Sequence, residues 1–373
     1  MEYIALNDIC DVRDGTHDSP KYVQEGFPLV TSKNVVDGKL DLSTVNYITQ
    51  EDYDKINERS KVDEGDIIMP MIGTIGNPLL IEDSCEFAIK NVALIKFSNK
   101  KICNKYIWYF LKSGAFKKYV DEKNKGGTQK FLSLGDIRGM KVPILEYSEQ
   151  ISVVEKFDAV CKVISERNEE LQLLDNLIKA RFVEMFGNPD INEKKWNEYK
   201  MEQLCEVGSS KRIYQNDQSL TGIPFLRISD LVNRMDTGSK GCDLFIPEEL
   251  FGKLKKQGLV PVRGDILLTA RGTLGRCYII QDEDEFYFQD GMITWLSKYD
   301  ERITPLYISY LFEMPGFRKQ IDSLQAGSTV AYLSISMTKK LNVMTPPIEL
   351  QNQFADFVRA VDKSKFGKLS TLL

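Results

Sequence analysis

The amino-acid sequence predicts an α+β fold in which two similar mixed α/β domains are joined by a long helix. Three observations support this class. Between Glu146 and Phe186, apolar residues recur mostly at every third or fourth position, which is the period of an amphipathic helix. Short apolar runs bounded by glycine, proline and polar residues flank that segment, and such runs are typical of strands. Their order is repeated at an offset of roughly 200 residues, which indicates a duplicated domain rather than a solenoid.

The composition is that of a globular protein. The chain has 373 residues, of which 42% are hydrophobic and 28% charged, and this length suffices for two or three domains with sizeable cores. No stretch approaches the roughly 18 apolar residues of a membrane span, and the N-terminus lacks the basic and then apolar pattern of a signal peptide. We therefore expect a cytoplasmic protein with no membrane partner.

Cysteine and histidine usage argues against several kinds of site. The seven cysteines are scattered without a C-x-x-C pair, so we expect reduced thiols and neither a zinc site nor a disulfide framework. His17 is the only histidine, which removes most Ser-His, Cys-His and His-metal chemistries. We interpret it as a solvent-exposed or hydrogen-bonding loop residue. The net charge of −5 argues mildly against nonspecific coating of nucleic acid but is compatible with a local basic surface.

The first half of the chain is predicted to contain several strands and one helix. Glycine, aspartate and proline mark its loops. In chain order, the predicted segments are an apolar stretch at 6–12, a loop at 13–20, strands at 27–31 and 65–69, a tight turn at 73–76, a strand at 91–97, a helix from Tyr106 to Tyr119, a polar loop at 123–130 and a closing apolar segment at 142–144.

The second half repeats these segments. The matches are strongest at glycines and strand cores and weakest in the surface segments between them, so one scaffold displays two different sets of exposed residues. The matched segments are 26–31 with 222–227, 65–69 with 264–268, 72–76 with 271–275, 106–116 with 307–317, 126–128 with 327–329, and 131–133 with 332–334.

The central helix is duplicated as well. Residues 351–363 echo residues 150–162, and the C-terminal copy is much shorter than the first. The expected boundaries are 1–145 for the first domain, 146–186 for the central helix, 187–345 for the second domain and 346–373 for the C-terminal helix.

Asn168 interrupts the apolar stripe of the central helix where the spacing calls for an apolar residue. A single polar residue at such a seam can fix the register of paired helices. The alternative is a core helix with a polar interruption, but a stripe much longer than an average helix of about 11 to 12 residues favours a pair. The residues expected to pair helices or dock partners are Val154, Phe157, Ile164, Asn168, Leu171, Leu174, Ile178, Phe182, Phe354, Phe357 and Val361.

Several motifs together resemble the specificity subunit of type I restriction-modification systems. Each motif alone is weak, but their order, repeated and followed by a helix each time, is specific and covers nearly the whole chain. The motifs are the Gly15-Thr16-His17-Asp18-Ser19-Pro20 loop, two G-D-I-[IL]-[ML] strands, two G-T-[IL]-G turns, two G-[GS]-T loops followed by [FY]-L-S, and the segment from Arg181 to Gly187.

This resemblance implies two target recognition domains, each reading one half of a split, asymmetric site in double-stranded DNA. It also implies that the helices pack as an antiparallel coiled coil, set the gap between the half-sites and dock two methyltransferase subunits. Those subunits would supply S-adenosylmethionine and adenine N6 methylation, so this chain would need no cofactor. Restriction subunits are a further partner in this family, and the sequence leaves their presence open. The C-terminal helix is shorter than symmetry with the central helix implies.

The sequence lacks the motifs of the enzymes in such a system. There is no N/D-P-P-aromatic turn, as an adenine methyltransferase would need to hold a flipped base, and no G-x-x-x-x-G-K-[ST] loop for a nucleotide. Asp190, Glu193 and Lys195 resemble part of a nuclease site, but the carboxylates are too close in sequence to come from separate strands. We therefore expect no catalytic residue and no metal site, and a protein that binds.

For DNA binding, the useful side chains are Arg and Lys for phosphates or guanine, Asn and Gln for adenine, and hydroxyls for either. Arg271 and Arg276 bracket a tight glycine turn and could form a fork for a base or a phosphate. For each residue alone, a solvated surface side chain is the alternative. The candidates are Arg13, Lys33, Asn34, Thr74, Lys125, Gln129, Lys130, Lys211, Arg212, Tyr214, Arg227, Arg271, Thr273, Arg276, Ser328 and Thr329.

A second hypothesis is a duplicated protein-interaction scaffold that reads no DNA sequence, which the acidic net charge fits slightly better. A continuous basic face would favour DNA, whereas exposed apolar patches of several hundred square ångströms would favour protein ligands.

Overall fold

The computed structural model describes residues 2–36, 38–72, 75–83, 86–124, 131–325 and 331–367. The chain divides into two compact units, Met1–Glu166 and Arg167–Leu373. Each unit has hydrophobic clusters of its own. Both units mix helices and sheets, as the sequence predicts.

Unit 1 contains short strands and helices that precede the long central helix. The strands are β1 (Glu2–Ala5), β2 (Asp11–Asp14), β3 (Phe27–Val30), β4 (Val35–Val36), β5 (Lys39–Leu40), β6 (Asn46–Ile48), β7 (Ile67–Pro70), β8 (Leu79–Leu80), β9 (Ala88–Ile89), β10 (Val92–Lys96) and β11 (Lys141–Ile144). The helices are α1 (Leu6–Ile9), α2 (Gln50–Ser60), α3 (Asn104–Leu111), α4 (Gly114–Lys123), α5 (Leu134–Gly139) and α6 (Tyr147–Phe186).

The main sheet of unit 1 is antiparallel, with strand order β2-β10-β7-β8. A smaller sheet has the order β6-β3-β9, in which β3 and β9 are parallel. Two further pairs, β1 with β11 and β4 with β5, complete the described strands. Both faces of β7 are buried: Ile67 and Met69 pack with α1, α3, α4 and α5, while Ile68 packs with residues of the smaller sheet. This explains why the strand is continuously apolar rather than alternating.

Unit 2 contains an equivalent series of elements. The strands are β12 (Asn197–Lys200), β13 (Glu206–Gly208), β14 (Ile223–Leu226), β15 (Phe245–Ile246), β16 (Ile266–Thr269), β17 (Cys277–Ile279), β18 (Tyr287–Phe288), β19 (Ile293–Ser297) and β20 (Asn342–Thr345). The helices are α7 (Ile228–Thr237), α8 (Glu248–Lys256), α9 (Pro305–Glu313), α10 (Pro315–Leu324), α11 (Ile335–Lys339) and α12 (Ile348–Gly367).

The sheets of unit 2 repeat those of unit 1. The main sheet has the order β13-β19-β16-β17, the smaller sheet has the order β15-β14-β18 with β14 and β18 parallel, and β12 pairs with β20. The central strand β16 is again buried on both faces, since Ile266 and Leu268 belong to one cluster and Leu267 to another. The duplication predicted from the sequence is therefore present in the strand order.

The two G-D-I motifs form the turn that starts each central strand. Gly65 has a φ of 86°, which an L side chain adopts only with strain. The next residue, Asp66, is buried and its carboxylate lies 2.5 Å from Lys96 Nζ. Its counterpart Asp265 instead accepts a hydrogen bond of 2.8 Å from Trp295 Nε1. Burial raises the pKa of both carboxyl groups. Because both carboxylates are buried and hydrogen-bonded inside their own unit, this motif is part of the scaffold.

The central helix α6 contributes to both units. Ile151 and Val154, near its start, pack in the core of unit 1, whereas Phe182 and Phe186, near its end, are fully buried in unit 2. Within unit 2, α12 runs antiparallel to the second half of α6: Phe354 lies 5.5 Å from the Phe182 ring, and at the other end of α12 the Lys365 ammonium lies 2.7 Å from Asp175. The structure thus contains the antiparallel helix pair that the resemblance implies.

One prediction about the helices is wrong. The sequence predicts a single helix from Tyr106 to Tyr119, but the structure has two, α3 and α4. The hydroxyl of Ser113 accepts a hydrogen bond from the backbone N–H of Phe116 and starts a new helix. In unit 2, Pro315 occupies the first position of α10 and separates it from α9.

Candidate nucleic-acid interface

In unit 2, the sequence predicts DNA-binding residues in two loops, and a residue that flanks one loop lies beside a residue that flanks the other. Arg271, the residue before the first glycine of the G-T-L-G turn, forms an antiparallel bridge with Tyr332, the first residue of the Y-L-S motif after the G-S-T loop. The backbone N–H of Leu333 donates a 3.0 Å hydrogen bond to the carbonyl of Ala270, and Leu333 is fully buried. The bases of the two loops are therefore joined and anchored in the core.

Unit 1 has the same arrangement with different residues. Ile72 forms an antiparallel bridge with Phe131, and the backbone N–H of Leu132 donates a 2.9 Å hydrogen bond to the carbonyl of Met71. We call the two bridged residues of each unit its loop-base pair: Ile72 and Phe131 in unit 1, and Arg271 and Tyr332 in unit 2.

A carboxamide holds the second residue of each loop-base pair. In unit 1, Asn124 Oδ1 accepts a 2.7 Å hydrogen bond from the backbone N–H of Phe131. In unit 2, the side chain of Gln325 accepts from the backbone N–H of Tyr332 at 2.8 Å and donates to its carbonyl at 3.0 Å. The backbone of the aromatic residue, Phe131 or Tyr332, is therefore held both by the bridge and by a carboxamide side chain.

Arg271 has a guanidinium group with no hydrogen-bond acceptor among the described residues. The side chain is exposed and lies over the Tyr332 ring, with 5.2 Å between the guanidinium carbon and the ring centroid. Each of the other arginines hydrogen-bonds or ion-pairs with an oxygen acceptor in the part of the chain that the structure describes. Stacking on the ring orients the guanidinium but leaves its donors available to a ligand.

The two arginines of the predicted fork have different surroundings, because among the described residues Arg276 points to a carboxylate within its own unit whereas Arg271 does not. A guanidinium nitrogen of Arg276 lies 2.6 Å from Asp236 Oδ1. Two other candidates are also paired: Arg212 with Asp290 at 2.8 Å, and Arg227 with Asp230 at 3.0 Å. Their hydrogen bonds to these carboxylates raise the pKa of Arg212 and Arg227. For these three arginines, a contact with DNA would have to compete with an existing ion pair.

In unit 1, Asn34 is wrongly predicted as a DNA contact. It is 4% exposed, and its carboxamide accepts from the Thr31 backbone and hydroxyl and donates to the Asp41 carbonyl. A buried amide that is bonded inside the fold does not reach the edge of a base. Arg13 is bound to Asp11 at 2.7 Å and to a backbone carbonyl at 2.8 Å.

Other candidates lie at the surface or outside the described residues. Lys33, Lys211, Tyr214 and Thr273 have side chains that reach the surface. The structure does not describe Thr74, Lys125, Gln129, Lys130, Ser328 and Thr329.

His17 lies in a hydrogen-bond network that the sequence did not reveal. Its Nδ1 is 2.8 Å from Asn91 Oδ1, and its Nε2 is 2.7 Å from Asp14 Oδ2. The other oxygen of Asp14 bonds Arg59, a residue of α2. The hydrogen bond to Asn91 raises the pKa of His17 most, and the hydrogen bond to Asp14 raises it further. In both bonds, a side-chain oxygen accepts from the ring, which favours the protonated imidazolium. The loop and α2 line an open cavity of about 490 Å³.

The candidate pairing residues of the two helices have different environments. Ile178, Phe182, Phe354 and Val361 are buried in the unit 2 core, and Leu174 and Phe357 pack against it. Leu171 is half-buried, and Val154 is buried in the core of unit 1.

Among the described residues, Phe157, Ile164 and Asn168 do not lie in a buried seam between α6 and α12, and their expected role in pairing helices or docking partners stays a prediction. Phe157 and Ile164 are 49% and 55% exposed, and Asn168 is also exposed. Near the end of the described part of α12, the carbonyl of Lys365 accepts a hydrogen bond from the guanidinium of Arg167.

Sequence reasoning did not single out Tyr332, Ile72 and Phe131, which the structure places in the bridges between the two loop segments of each unit. Polar and charged side chains were favoured as DNA contacts, and these three residues appeared only as parts of repeated motifs. The repeat itself contained the signal. Within the matched motifs, some aligned positions carry different residues in the two copies, and such positions are candidates for reading different half-sites.

Among the described residues, no group of His, Cys, Asp and Glu could hold a metal ion. The described helices include none with the length and apolar composition of a membrane span.

The sequence matches a known protein family over most of its length. The family described as "Type I restriction modification DNA specificity domain" matches residues 1–174 and again residues 193–371. The chain is 26% identical over 307 residues to a Haemophilus influenzae protein named as a putative type I restriction enzyme specificity subunit, covering 79% of this chain and 74% of that protein. It is 20% identical over 370 residues to the MjaVIII specificity subunit of Methanocaldococcus jannaschii, covering 92% and 84%.

Solved structures have the same fold. The S subunit of a type I restriction-modification system from M. genitalium aligns with a TM-score of 0.51 at 14% identity, covering all of this chain and 92% of that one. A chain from a structure describing complex assembly of the type I R-M system aligns with a TM-score of 0.50 at 15% identity, covering 100% and 95%. With two matches of the family across nearly the whole sequence, the chain belongs to the type I restriction-modification DNA specificity family.

Proposed function

We propose that the chain is the DNA sequence-recognition subunit of a type I restriction-modification complex, in which each domain reads one half of a bipartite, asymmetric site. The observation that carries this proposal is Arg271, an exposed guanidinium without an acceptor in the described part of the protein, held over Tyr332 where two loops join. Such a group is suited to bind a phosphate or guanine. The equivalent position in unit 1 is occupied by Ile72 and Phe131. Different residues are expected there if the two domains recognise different half-sites.

In this complex, the chain supplies recognition and its partners supply catalysis. Two methyltransferase subunits would bind S-adenosylmethionine and methylate adenine N6, restriction subunits would join where DNA is cut, and the complex would act in the cytoplasm. Phe157, Val160 and Ile164 support docking of a subunit on α6, because exposed apolar residues three or four positions apart form one helix face.

The proposal is tested by sequencing the N6-methyladenine of host DNA in cells with and without this gene. Deletion should abolish methylation at one two-part motif, and the wild-type gene should restore it, whereas a copy with an early stop codon should not. A protein-interaction scaffold without sequence readout predicts that every methylated motif survives the deletion. That outcome would contradict the proposal.

A further inference from the structure

The loop-base pairs occupy equivalent backbone positions, but the first residue is apolar in unit 1 and charged in unit 2. Each pair joins the residue before a G-T-[IL]-G turn to the first residue of the [FY]-L-S motif through one antiparallel bridge. A carboxamide, from Asn124 in unit 1 and Gln325 in unit 2, fixes the second residue of each pair. The backbone is therefore held alike in both units, and the difference between them lies in the side chains presented.

In unit 2, the displayed group is a guanidinium ready for a planar acceptor. Arg271 needs to break no ion pair with a described residue before binding, whereas Arg276 would have to leave Asp236. Its contact with the Tyr332 ring limits the orientations that the flexible side chain samples, which lowers the entropy lost on binding. A guanidinium presents two parallel N–H groups that match the O6 and N7 acceptors of guanine.

In unit 1, the displayed groups are apolar and exposed. Ile72 is 39% exposed and Phe131 is 51% exposed, although they adjoin each other through the bridge. Neither side chain has a donor or an acceptor, so neither can read the polar edge of a base. The one apolar feature of the major groove is the methyl group of thymine, which such side chains contact.

On the basis of the proposed function, we infer that the loop-base pair is a specificity-determining position of each domain. Arg271, oriented by Tyr332, selects a guanine in the half-site of unit 2. Ile72 and Phe131 select a thymine, through its methyl group, in the half-site of unit 1. One scaffold position therefore reads a hydrogen-bonding edge in one copy and an apolar group in the other.

The test of unit 2 uses this chain assembled with its methyltransferase subunits and a DNA library randomised at both half-sites. The wild-type complex first defines the two-part motif. Arg271→Ala and Arg271→Lys should each reduce the preference for guanine at one position of one half-site by roughly 10- to 100-fold, with the other half-site unchanged. Arg271→Lys keeps the charge but loses the two parallel donors. Arg263→Ala is the matched control, because Arg263 is an exposed arginine paired with Asp282, and it should leave the motif unchanged.

A phosphate contact gives a different pattern and would overturn the assignment of guanine. In that case, Arg271→Ala would lower methylation of all sequences alike, and Arg271→Lys would keep the wild-type motif. The unchanged half-site reports in the same experiment that the variant is folded and assembled. A wild-type complex that yields no two-part motif would refute the proposed function itself, whereas an intact motif in both Arg271 variants would refute only this inference.

The test of unit 1 changes the DNA as well as the protein. Replacing the selected thymine by uracil removes only the methyl group and should weaken binding of the wild-type complex about 3- to 5-fold, as expected for one buried apolar carbon. A double variant, Ile72→Ala with Phe131→Ala, should bind thymine and uracil DNA equally. Equal binding of the two DNAs by the wild-type complex at every thymine of that half-site would overturn the assignment.

Discussion

The side chain of Gln351 binds Thr304 through two hydrogen bonds. Its Oε1 accepts from the Thr304 backbone N–H at 2.9 Å and from the Thr304 hydroxyl at 3.2 Å. Its Nε2 donates to the carbonyls of Arg302 and Pro346, at 2.8 and 2.9 Å. Gln351 is completely buried at the start of α12, so one carboxamide connects this helix to the segments before α9 and after β20.

Gln150 does the same at the start of α6. It is also completely buried, accepts from the Cys103 backbone N–H at 2.8 Å, and donates to the carbonyls of Lys101 and Leu145. Both halves therefore fix their long helix to the preceding domain through a buried glutamine, which gives the repeated Gln in the sequence a physical reason.

We expect Gln351→Ala to lower the free energy of unfolding by about 3 kcal/mol, since it leaves buried donors and acceptors without partners. Urea denaturation measures this loss. Gln353→Ala, two positions along the same helix, is the matched control because Gln353 is exposed, and it should change stability by less than about 0.5 kcal/mol. Equal effects of the two variants would show that the buried hydrogen bonds do not stabilise the helix.

The titration of His17 provides a second prediction. Its raised pKa means that its contribution to stability is complete below the ordinary histidine pKa and is lost as the pH rises through the raised value. The melting temperature of the wild type should therefore exceed that of His17→Gln at about pH 5, and the two should converge by about pH 9. Because the chain has one histidine, NMR can follow its imidazole protons directly.

Asp14→Asn should lower the pKa of His17, because the variant removes the carboxylate that accepts from Nε2. Asp18→Asn is the control, since Asp18 is an exposed neighbour in the same loop and should leave the titration nearly unchanged. A His17 pKa at or below the ordinary value in the wild type would contradict the network.

The parts of the fold that sequence predicted well are those with a short-range or repeated signal. The stripe of α6 follows helical periodicity over 40 residues, and the strand order follows from motifs that occur twice. The sequence analysis missed the break between α3 and α4, because a serine inside a helical pattern does not by itself indicate a helix end. Only the structure shows that the Ser113 hydroxyl caps the start of a new helix.

The candidate site was harder to predict, because the role of a polar residue depends on its neighbours in space. Asn34 is adjacent in sequence to Lys33, whose side chain reaches the surface, but its amide bonds a carbonyl seven positions away. Arg276 and Arg271 are five positions apart, yet of the two only Arg276 reaches a described aspartate, which comes from α7. No spacing rule distinguishes the two arginines, whereas the fold does.

Phe354 should be the residue of α12 that contributes most to the packing of α12 against α6. It is completely buried, and its ring lies within 5.5 Å of Phe182, Phe186 and Tyr310. Phe354→Ala should therefore cost about 3 to 5 kcal/mol in unfolding free energy. Phe157→Ala removes the same group from a half-exposed position of α6 and should cost about 1 kcal/mol. A similar loss in both variants would argue against a tightly packed helix pair.

The length of α6 should set the gap between the two half-sites, if the helix acts as the spacer of the proposed complex. Four residues inserted between Val163 and Ile164 lengthen an α-helix by about 6 Å and rotate its C-terminal part by roughly 40°, so the helix faces are nearly kept. This position precedes the segment that pairs with α12, which begins near Arg167. Sequencing of N6-methyladenine should then show a gap longer by about two base pairs of roughly 3.4 Å each, with both half-sites unchanged.

A two-residue insertion at the same position is the control. It rotates the C-terminal part of the helix by roughly 200° and should abolish methylation. An altered half-site with a constant gap would contradict the spacer role.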